Sequence, residues 1–248
     1  MKVVKVKDYE ELSKNLGEEV LSYIRSKERK IICLPSGDTP VGAYQYIVKQ
    51  LDDEDLNSYK SIFVGLDEWA NMSREDEGSC QYYMYKYLFG PLGLDSDKIV
   101  EFNAKAEDLT NECLKMDKFL KEYGPLDLVV LGIGMNGHLG LNEPGTSFNE
   151  YSHVVKLDET TVKIAQKYFT TTKVLDKGIT LGLKHFLEAK KMILIASGSK
   201  KADIVKRIVE GEIDEEIPAT IARLHRNSYL IVDEESAKGL ESIGRNNE

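Results

Sequence analysis

Cysteine is scarce in this chain of 248 residues, which contains only Cys33, Cys80 and Cys113. They lie far apart without a C-x-x-C pair, which argues against a disulfide framework or a zinc knuckle and favours a reducing compartment. The longest apolar run, residues 128–135, is much shorter than the ~20 residues of a membrane span. The amino-terminal segment becomes charged before the apolar core of a signal peptide could form, so we expect a cytoplasmic protein.

Positive charge is not in excess either. The chain has 33 Lys+Arg against 42 Asp+Glu, a formal net charge of -9, and its lysines are scattered among acidic residues. Such a chain repels polyphosphates unless a basic face is segregated, so we expect no nucleic-acid partner and no membrane partner. A small phosphorylated ligand could still be held by two or three local cations.

Short β-rich runs alternate with longer amphipathic stretches, without repeats, low-complexity segments or linkers. Alternating βα units of this kind predict one doubly wound α/β domain over residues 1–248. We predict strands at residues 3–6, 30–34, 61–66, 126–132, 191–196 and 228–232. We predict helices at residues 9–26, 40–51, 81–89, 106–122, 159–168, 177–188 and 200–210, with a short helix at the end.

Ligands of such sheets bind outside the carboxyl ends of the strands, so the strand-to-helix loops carry the chemistry. The first loop is LPSGDTP, in which Gly37 permits a tight turn and Thr39 can cap the next helix, leaving backbone N–H groups for a phosphate or sugar. A well-capped turn without a ligand fits the same residues. Asp38 argues against a phosphate directly beside it, unless its side chain turns away.

The second loop, GLDEW, places two carboxylates at the end of an apolar strand. Desolvation there raises the pKa of a carboxyl and makes its anion a better base near neutral pH. Either Asp67 or Glu68 could be that base, and a helix cap or a surface carboxylate is the structural alternative.

The third loop is the most informative, because GIGMNGHLGLNEPG combines glycines with His138 and Glu143 as a possible proton-transfer pair. Its first six letters match the dinucleotide pattern G-x-G-x-x-G. The position in mid-chain and the long continuation of the loop disfavour a nucleotide site. A fourth loop, SGSKKA, offers hydroxyls and Lys201 at a helix start, which suits either a phosphate site or a capped helix with exposed lysines.

Five segments, LPSGDTP, GLDEW, GIGMNGHLGLNEPG, GITLGL and GSKKA, span residues 34–202 in this order and resemble the glucosamine-6-phosphate isomerase/deaminase family. The resemblance implies a Rossmann-like three-layer α/β/α sandwich with a mostly parallel sheet, a fold shared with 6-phosphogluconolactonases. Lactonases generally carry an SLFPG-like segment in place of NEPG and lack its glutamate. The segments LDEW, NGHLGLNEPG and GITLGLK are most similar to the galactosamine-6-phosphate isomerases of the family.

By position, the resemblance makes Asp67 the base that moves a proton from C2 to C1 of the open-chain amino sugar. The resemblance makes His138 the residue that helps to open the pyranose ring beforehand, with Glu143 as its acidic partner and Asn136 beside it. The products are a ketose 6-phosphate (tagatose or fructose 6-phosphate) and ammonia, and neither a metal nor an organic cofactor is expected. The implied substrate-binding residues are Ser36, Gly37, Thr39, Gly137, Lys167 and Lys201.

This chain departs from the family pattern at three places. Asn136 stands where glucosamine-6-phosphate deaminases carry aspartate, so His138 loses an anionic partner that would raise its pKa. Lys167 replaces an arginine found in many members. Residues 148–156 lack the basic cluster with which hexameric members bind an allosteric sugar phosphate.

Two other functions are compatible with this fold. A lactonase would use His138 to activate water, although Glu143 argues against that reaction. A sugar-phosphate sensor of the transcription-regulator type would need a helix-turn-helix before the first strand, and we expect that strand to start at Val3. A degenerate enzyme that binds the sugar phosphate without turnover would not need this extra element. The sequence leaves the C4 epimer of the sugar and a homo-oligomeric state open.

Overall fold

The computed structural model describes residues 1–52, 54 and 58–241 of the chain. Its larger sheet has seven strands in the order β1-β10-β9-β6-β2-β3-β5, and every neighbouring pair is parallel. A second sheet has three antiparallel strands in the order β4-β8-β7. The strands are β1 (Lys2–Val6), β2 (Ile31–Leu34), β3 (Ile62–Gly65), β4 (Asp67–Trp69), β5 (Ile99–Val100), β6 (Leu128–Gly132), β7 (His153–Lys156), β8 (Lys177–Thr180), β9 (Met192–Ala196) and β10 (Ser228–Asp233).

Helices connect the strands, and aspartates begin several of them. The Asp8 and Asp108 carboxylates accept the N–H groups three residues later at 3.0 Å, which satisfies backbone donors that the helix itself leaves free. The helices are α1 (Tyr9–Ile24), α2 (Val41–Gln50), α3 (Cys80–Met84), α4 (Leu109–Tyr123), α5 (Glu159–Ala165), α6 (Leu183–Glu188) and α7 (Ala202–Glu210).

Both faces of the larger sheet are covered. Leu128 and Val130 of β6 pack with apolar residues of α1 and α2, whereas Val129 and Leu131 pack with those of α4 and α7. A strand buried on both faces is apolar throughout, which explains the continuous run in β6. The predicted three-layer α/β/α fold is therefore confirmed.

The smaller sheet shows where the sequence-based prediction was wrong. The predicted helix at residues 177–188 is strand β8 followed by α6, which begins only at Leu183. A Cβ atom on Gly178 would collide with Leu141 and would lie 3.2 Å from the Glu68 carbonyl oxygen. This segment therefore packs closely between β4 and β7 as a strand.

Three further strands, β4, β5 and β7, contain two to four residues each and were not predicted. The predicted helix at residues 81–89 is present as α3 followed by a π-helical turn, Tyr85–Phe89. Residues 234–241 form turns rather than the predicted final helix, whose remainder lies outside the described residues. Within the described ranges, no helix combines the length and the apolar character needed to cross a bilayer.

Candidate active site

A cleft of about 200 Å³ opens at the carboxyl ends of β2, β3, β6 and β9. All four loops selected from the sequence border it, as expected for a sheet of this topology. Seven of the ten predicted site residues line the cleft: Ser36, Gly37, Thr39, Asp67, His138, Lys167 and Lys201. The other three, Asn136, Gly137 and Glu143, do not line it.

Asp67 is the first residue of β4 and pairs with Thr180 of β8 in the smaller sheet. A Cβ atom on Gly140 would lie 3.4 Å from Asp67 Oδ2, so the absence of a side chain there lets the third loop approach the carboxylate closely. Burial raises the pKa of Asp67 to about 7, although a hydrogen bond with the Cys80 thiol works in the opposite direction. A carboxyl of this kind can accept and return a proton near neutral pH.

Glu68, the other carboxylate of the second loop, has a different environment. It is fully buried and accepts backbone N–H groups from Trp69 at 2.8 Å, Cys80 at 3.0 Å and Gln81 at 2.9 Å. Burial raises its pKa to about 7, and these hydrogen bonds oppose the shift. Glu68 therefore anchors the start of α3, and Asp67 is the carboxylate that faces the cleft.

His138 borders the cleft, and two polar side chains lie behind its ring. Asn136 Oδ1 is 2.7 Å from His138 Nδ1, and Asn136 Nδ2 donates a hydrogen bond to Glu143 Oε2 at 3.1 Å. Glu143 Oε2 is itself 3.6 Å from His138 Nδ1. The three predicted residues thus form a hydrogen-bonded chain that starts at the cleft and ends at a buried carboxylate.

This chain of contacts assigns the tautomer of the imidazole. Because Glu143 accepts a hydrogen bond from the Asn136 amide N–H, the amide oxygen faces His138 and must accept a hydrogen bond from Nδ1–H. Nε2 is then unprotonated in the neutral ring. Burial lowers the pKa of His138, Glu143 opposes that shift and Lys201 reinforces it. This direction of shift favours the neutral imidazole, whose unprotonated Nε2 is able to accept a proton.

Helix α5 contributes two contacts that sequence reasoning missed. Thr161 Oγ1 lies 3.3 Å from His138 Nδ1, and the Asp158 backbone N–H donates to Glu143 Oε1 at 3.2 Å. Asp158 also caps α5 by accepting the Thr160 N–H at 2.8 Å. The capping pattern was visible in the sequence, but its contact with the third loop depends on the unpredicted strand β7.

Two lysines bring positive charge to the same cleft. Lys201 donates to the Ile133 carbonyl oxygen, and burial together with the charge of Lys167 lowers its pKa to about 8. Lys167 Nζ lies 2.6 Å from Asp38 Oδ2 and 4.7 Å from the centre of the Tyr168 ring. Burial is the largest single influence on the pKa of Lys167 and lowers it, but the hydrogen bond and charge of Asp38 together with Tyr168 outweigh it, so the net shift is upward.

Several predicted loop contacts are replaced by structural ones. Helix α2 begins at Val41 without a side-chain cap, so Thr39 does not cap it. Asp233 accepts the Ser197 hydroxyl and the Gly198 N–H, which directs these groups away from a ligand. Gly137 has a φ of 87°, and a Cβ atom there would lie 2.6 Å from Ile217 Cγ2. The close packing against Ile217 and the positive φ therefore explain why residue 137 is a glycine.

Two further residues of the cleft were not among the predicted site residues. Tyr168 and Trp69 line the cleft, and the indole N–H of Trp69 has no hydrogen-bond partner among the described residues. Tyr168 lies over the first loop, because a Cβ atom on Gly37 would be 3.2 Å from its hydroxyl oxygen. Aromatic residues are common in folded cores, so their place in a cleft follows only from the tertiary structure.

Comparison with known proteins supports the resemblance of the motifs. The family model "Glucosamine-6-phosphate isomerases/6-phosphogluconolactonase" matches residues 7–231. The glucosamine-6-phosphate deaminase of Clostridium novyi (strain NT) is 37% identical over 241 residues, which cover 97% of this chain and 100% of that protein. The deaminase of Clostridium perfringens (strain 13 / Type A) is 36% identical over 242 residues, with 97% and 100% coverage.

Solved structures extend the comparison. A monomeric glucosamine-6-phosphate deaminase superposes with a TM-score of 0.91 at 35% identity, covering 96% of this chain and 99% of that chain. The 6-phosphogluconolactonase from Trypanosoma brucei superposes with a TM-score of 0.73 at 20% identity, covering 96% and 98%, and this likeness concerns the fold alone. Because the family model and the relatives span nearly the whole chain, this protein belongs to the glucosamine-6-phosphate isomerase/6-phosphogluconolactonase family.

Proposed function

We propose that this protein is an amino sugar 6-phosphate deaminase, which converts galactosamine 6-phosphate or glucosamine 6-phosphate and water to the ketose 6-phosphate and ammonia. One observation carries the proposal: Asp67 with a pKa of about 7, His138 with its hydrogen bond to Asn136, and two lysines all border the same cleft. The names of the related deaminases support the same reaction.

The phosphoryl group binds to Lys201 and Lys167 together with the loop of Ser36, Gly37 and Thr39. Charge-assisted hydrogen bonds from ammonium groups to phosphate oxygens are roughly twice as strong as neutral ones. Phosphate binding stabilises the ammonium form of Lys201 most, because burial disfavours that charged form and the phosphate dianion provides an opposite charge beside it. Binding at this end positions the sugar carbons for proton transfer.

Ring opening is the task of His138. Its unprotonated Nε2 takes the proton from the anomeric hydroxyl and returns a proton to the ring oxygen as the C1–O5 bond breaks. Asn136 and Glu143 act through His138 by holding the Nδ1–H tautomer. Glu143 also provides a negative charge 3.6 Å from Nδ1 that stabilises the transient imidazolium.

Asp67 then removes the C2 proton of the open-chain aldose, while the C1 carbonyl oxygen takes up a proton that the C2 ammonium group of the substrate gives up, to form an enolamine. The same proton is returned to C1, which produces a ketimine at C2. Water adds to C2 and ammonia leaves, so the product is the ketose phosphate. Asp67 ends the cycle in its starting ionisation state, and a positioned base of this kind contributes ~10²- to 10⁴-fold to the rate.

Of the two epimers, we propose galactosamine 6-phosphate as the preferred substrate, giving tagatose 6-phosphate. The support is Asn136 within NGHLGLNEPG, together with LDEW, since both segments resemble galactosamine-6-phosphate isomerases. The relatives compared above are named for the glucosamine epimer, so this preference rests on the motifs alone. The test is the ratio of kcat/KM for the two epimers, and a clear preference for glucosamine 6-phosphate would contradict it.

Ammonia release from the purified protein tests the reaction itself. Glucosamine 6-phosphate, galactosamine 6-phosphate and 6-phosphogluconolactone are supplied in parallel, with Asp67→Asn as the matched control. We expect ammonia from at least one amino sugar phosphate in the wild type and at least ~10²-fold less in the variant. Lactone hydrolysis without ammonia would favour the esterase, and binding without any turnover would favour the non-catalytic protein.

A further inference from the structure

The ammonium group of Lys167 already has an anionic partner inside the cleft. Asp38 Oδ2 lies 2.6 Å from Lys167 Nζ, and the Tyr83 hydroxyl donates to Asp38 Oδ1 at 3.4 Å. Asp38 lines the same cleft as Lys167 and Lys201. The Asp38 carboxylate thus forms an ion pair with Lys167, a lysine that lines the cleft together with Lys201.

The backbone around Asp38 is held in place independently of its side chain. Its carbonyl oxygen accepts the Tyr9 hydroxyl at 3.2 Å and the Val41 N–H at 3.3 Å. The Tyr9 hydroxyl also accepts the Gly42 N–H at 2.9 Å, which ties α1 to the start of α2. Substituting the Asp38 side chain therefore leaves the contacts that shape the loop.

Lys167 and Lys201 act on a common space. The positive charge of Lys167 is one of the causes that lower the pKa of Lys201, so the two ammonium groups are close enough to repel. A single phosphoryl group between them relieves this repulsion, whereas the Asp38 carboxylate neutralises only Lys167. Carboxylate and phosphoryl oxygens are the same kind of hydrogen-bond acceptor for an ammonium group.

We propose that Asp38 competes with the phosphoryl group of the ligand for Lys167 and thereby sets how tightly the cleft holds phosphorylated compounds. The inference rests on the proposed function only for the location of the phosphate. A ligand must displace the carboxylate from Lys167 or share the lysine with it, and in both cases a like charge remains nearby. Each outcome weakens phosphate binding relative to a cleft without Asp38.

The size of the effect follows from exposure. The Asp38 and Lys167 side chains are 61% and 49% exposed, and ion pairs that are open to water are weak. Removing the carboxylate should therefore tighten phosphate binding by a factor on the order of 2 to 5. If Asp38 instead held Lys167 in position for the ligand, removing the Asp38 carboxylate would weaken phosphate binding.

The experiment measures the Kd of inorganic phosphate by calorimetry, and KM for the amino sugar phosphate, in wild type, Asp38→Asn and Asp38→Ser. Glu28→Gln is the matched control, since Glu28 pairs with Lys30 at 2.8 Å just before β2, at the edge of the sheet away from the cleft. We expect both Asp38 variants to lower Kd and KM by about 2- to 5-fold, and the control to leave them unchanged.

Lys167→Gln tests whether Asp38 affects phosphate binding through Lys167. In that background Asp38→Asn should no longer change the Kd of phosphate, because the group for which Asp38 competes is gone. Weaker phosphate binding in Asp38→Asn, an unchanged Kd, or an equal improvement without Lys167 would each overturn the proposal. If phosphate binding responds as expected but no ammonia is formed, the proposed function fails and the inference stands. If ammonia is formed and Kd does not change, the reverse holds.

Discussion

Replacing Asp67 with asparagine keeps the shape of the side chain and removes its charge. In the proposed reaction this variant loses the base that carries the proton from C2 to C1, so kcat should fall by at least ~10²-fold. The same substitution should make the folded protein more stable. The reason is that burial raises the pKa of Asp67 to about 7, which means that the folded state disfavours its ionised form.

The pH dependence of this gain can be worked out. The carboxyl ionises with a pKa of 3.8 in the unfolded chain and of about 7 in the folded protein. The ionised side chain therefore lowers wild-type stability progressively as the pH rises from 3.8 to about 7. Relative to the neutral asparagine, the loss is about 1.5 kcal/mol near pH 5 and about 4 kcal/mol near pH 8.5.

Denaturant unfolding of wild type and Asp67→Asn at both pH values measures this difference, and ammonia release measures kcat on the same samples. Glu68→Gln is the matched control, since Glu68 also has a pKa raised to about 7 but accepts three backbone N–H groups. An amide cannot accept all three, so the N–H group left without an acceptor should offset about 1–3 kcal/mol of the stability that removal of the buried charge would otherwise add.

Two results would refute the reasoning. A stability difference between Asp67→Asn and wild type that is the same at both pH values would mean that the Asp67 carboxyl is not desolvated in the folded protein. Turnover close to that of wild type, or continued exchange of the C2 proton with solvent, would mean that another group is the base.

Three further predictions concern the rest of the site. Because burial and Lys167 lower the pKa of Lys201 to about 8, KM for the phosphorylated sugar should rise above that pH. Lys201→Ala should raise KM by ~10-fold or more at neutral pH. A wild-type KM that stays constant as the pH passes this pKa would contradict the role of Lys201 in phosphate binding. Asn136→Asp places a carboxylate 2.7 Å from His138 Nδ1, which should raise the pKa of His138 and shift the pH profile of kcat/KM. An unchanged profile would mean that Asn136 does not influence proton transfer by His138. The described residues contain no group of three or more His, Cys, Asp or Glu suited to a metal ion, so exhaustive chelation should leave the rate unchanged; a loss that one added metal restores would overturn the proposed mechanism.

The central sheet was largely predictable from local sequence. The run at β6 is apolar on both faces because it is covered by helices on both sides, and a pattern of that kind needs no knowledge of distant residues. Strand β8 was misread as a helix because Gly178 and its neighbours owe their conformation to β4, β7 and Leu141, which come from distant parts of the chain.

The candidate site was also predicted only in part from the sequence. Asp67, His138 and Lys201 were named from their motifs and Lys167 from its position in the family resemblance, and all four border one cleft. The choice between Asp67 and Glu68 could not be made from the sequence, because adjacent strand residues face opposite ways and only the packing of α3 decides which one is buried away from the ligand.

By itself, the sequence determined the α/β layering and the loops that meet at the sheet edge, because strand burial and loop chemistry are recorded in consecutive residues. Only the tertiary structure decided that Asn136 links His138 to Glu143, that Thr161 reaches the imidazole and that Asp38 holds Lys167. These contacts join residues whose separation along the chain bears no relation to their distance in space. The pKa of about 7 for Asp67 belongs with them, since desolvation is produced by the packed surroundings of a residue and not by the residue itself.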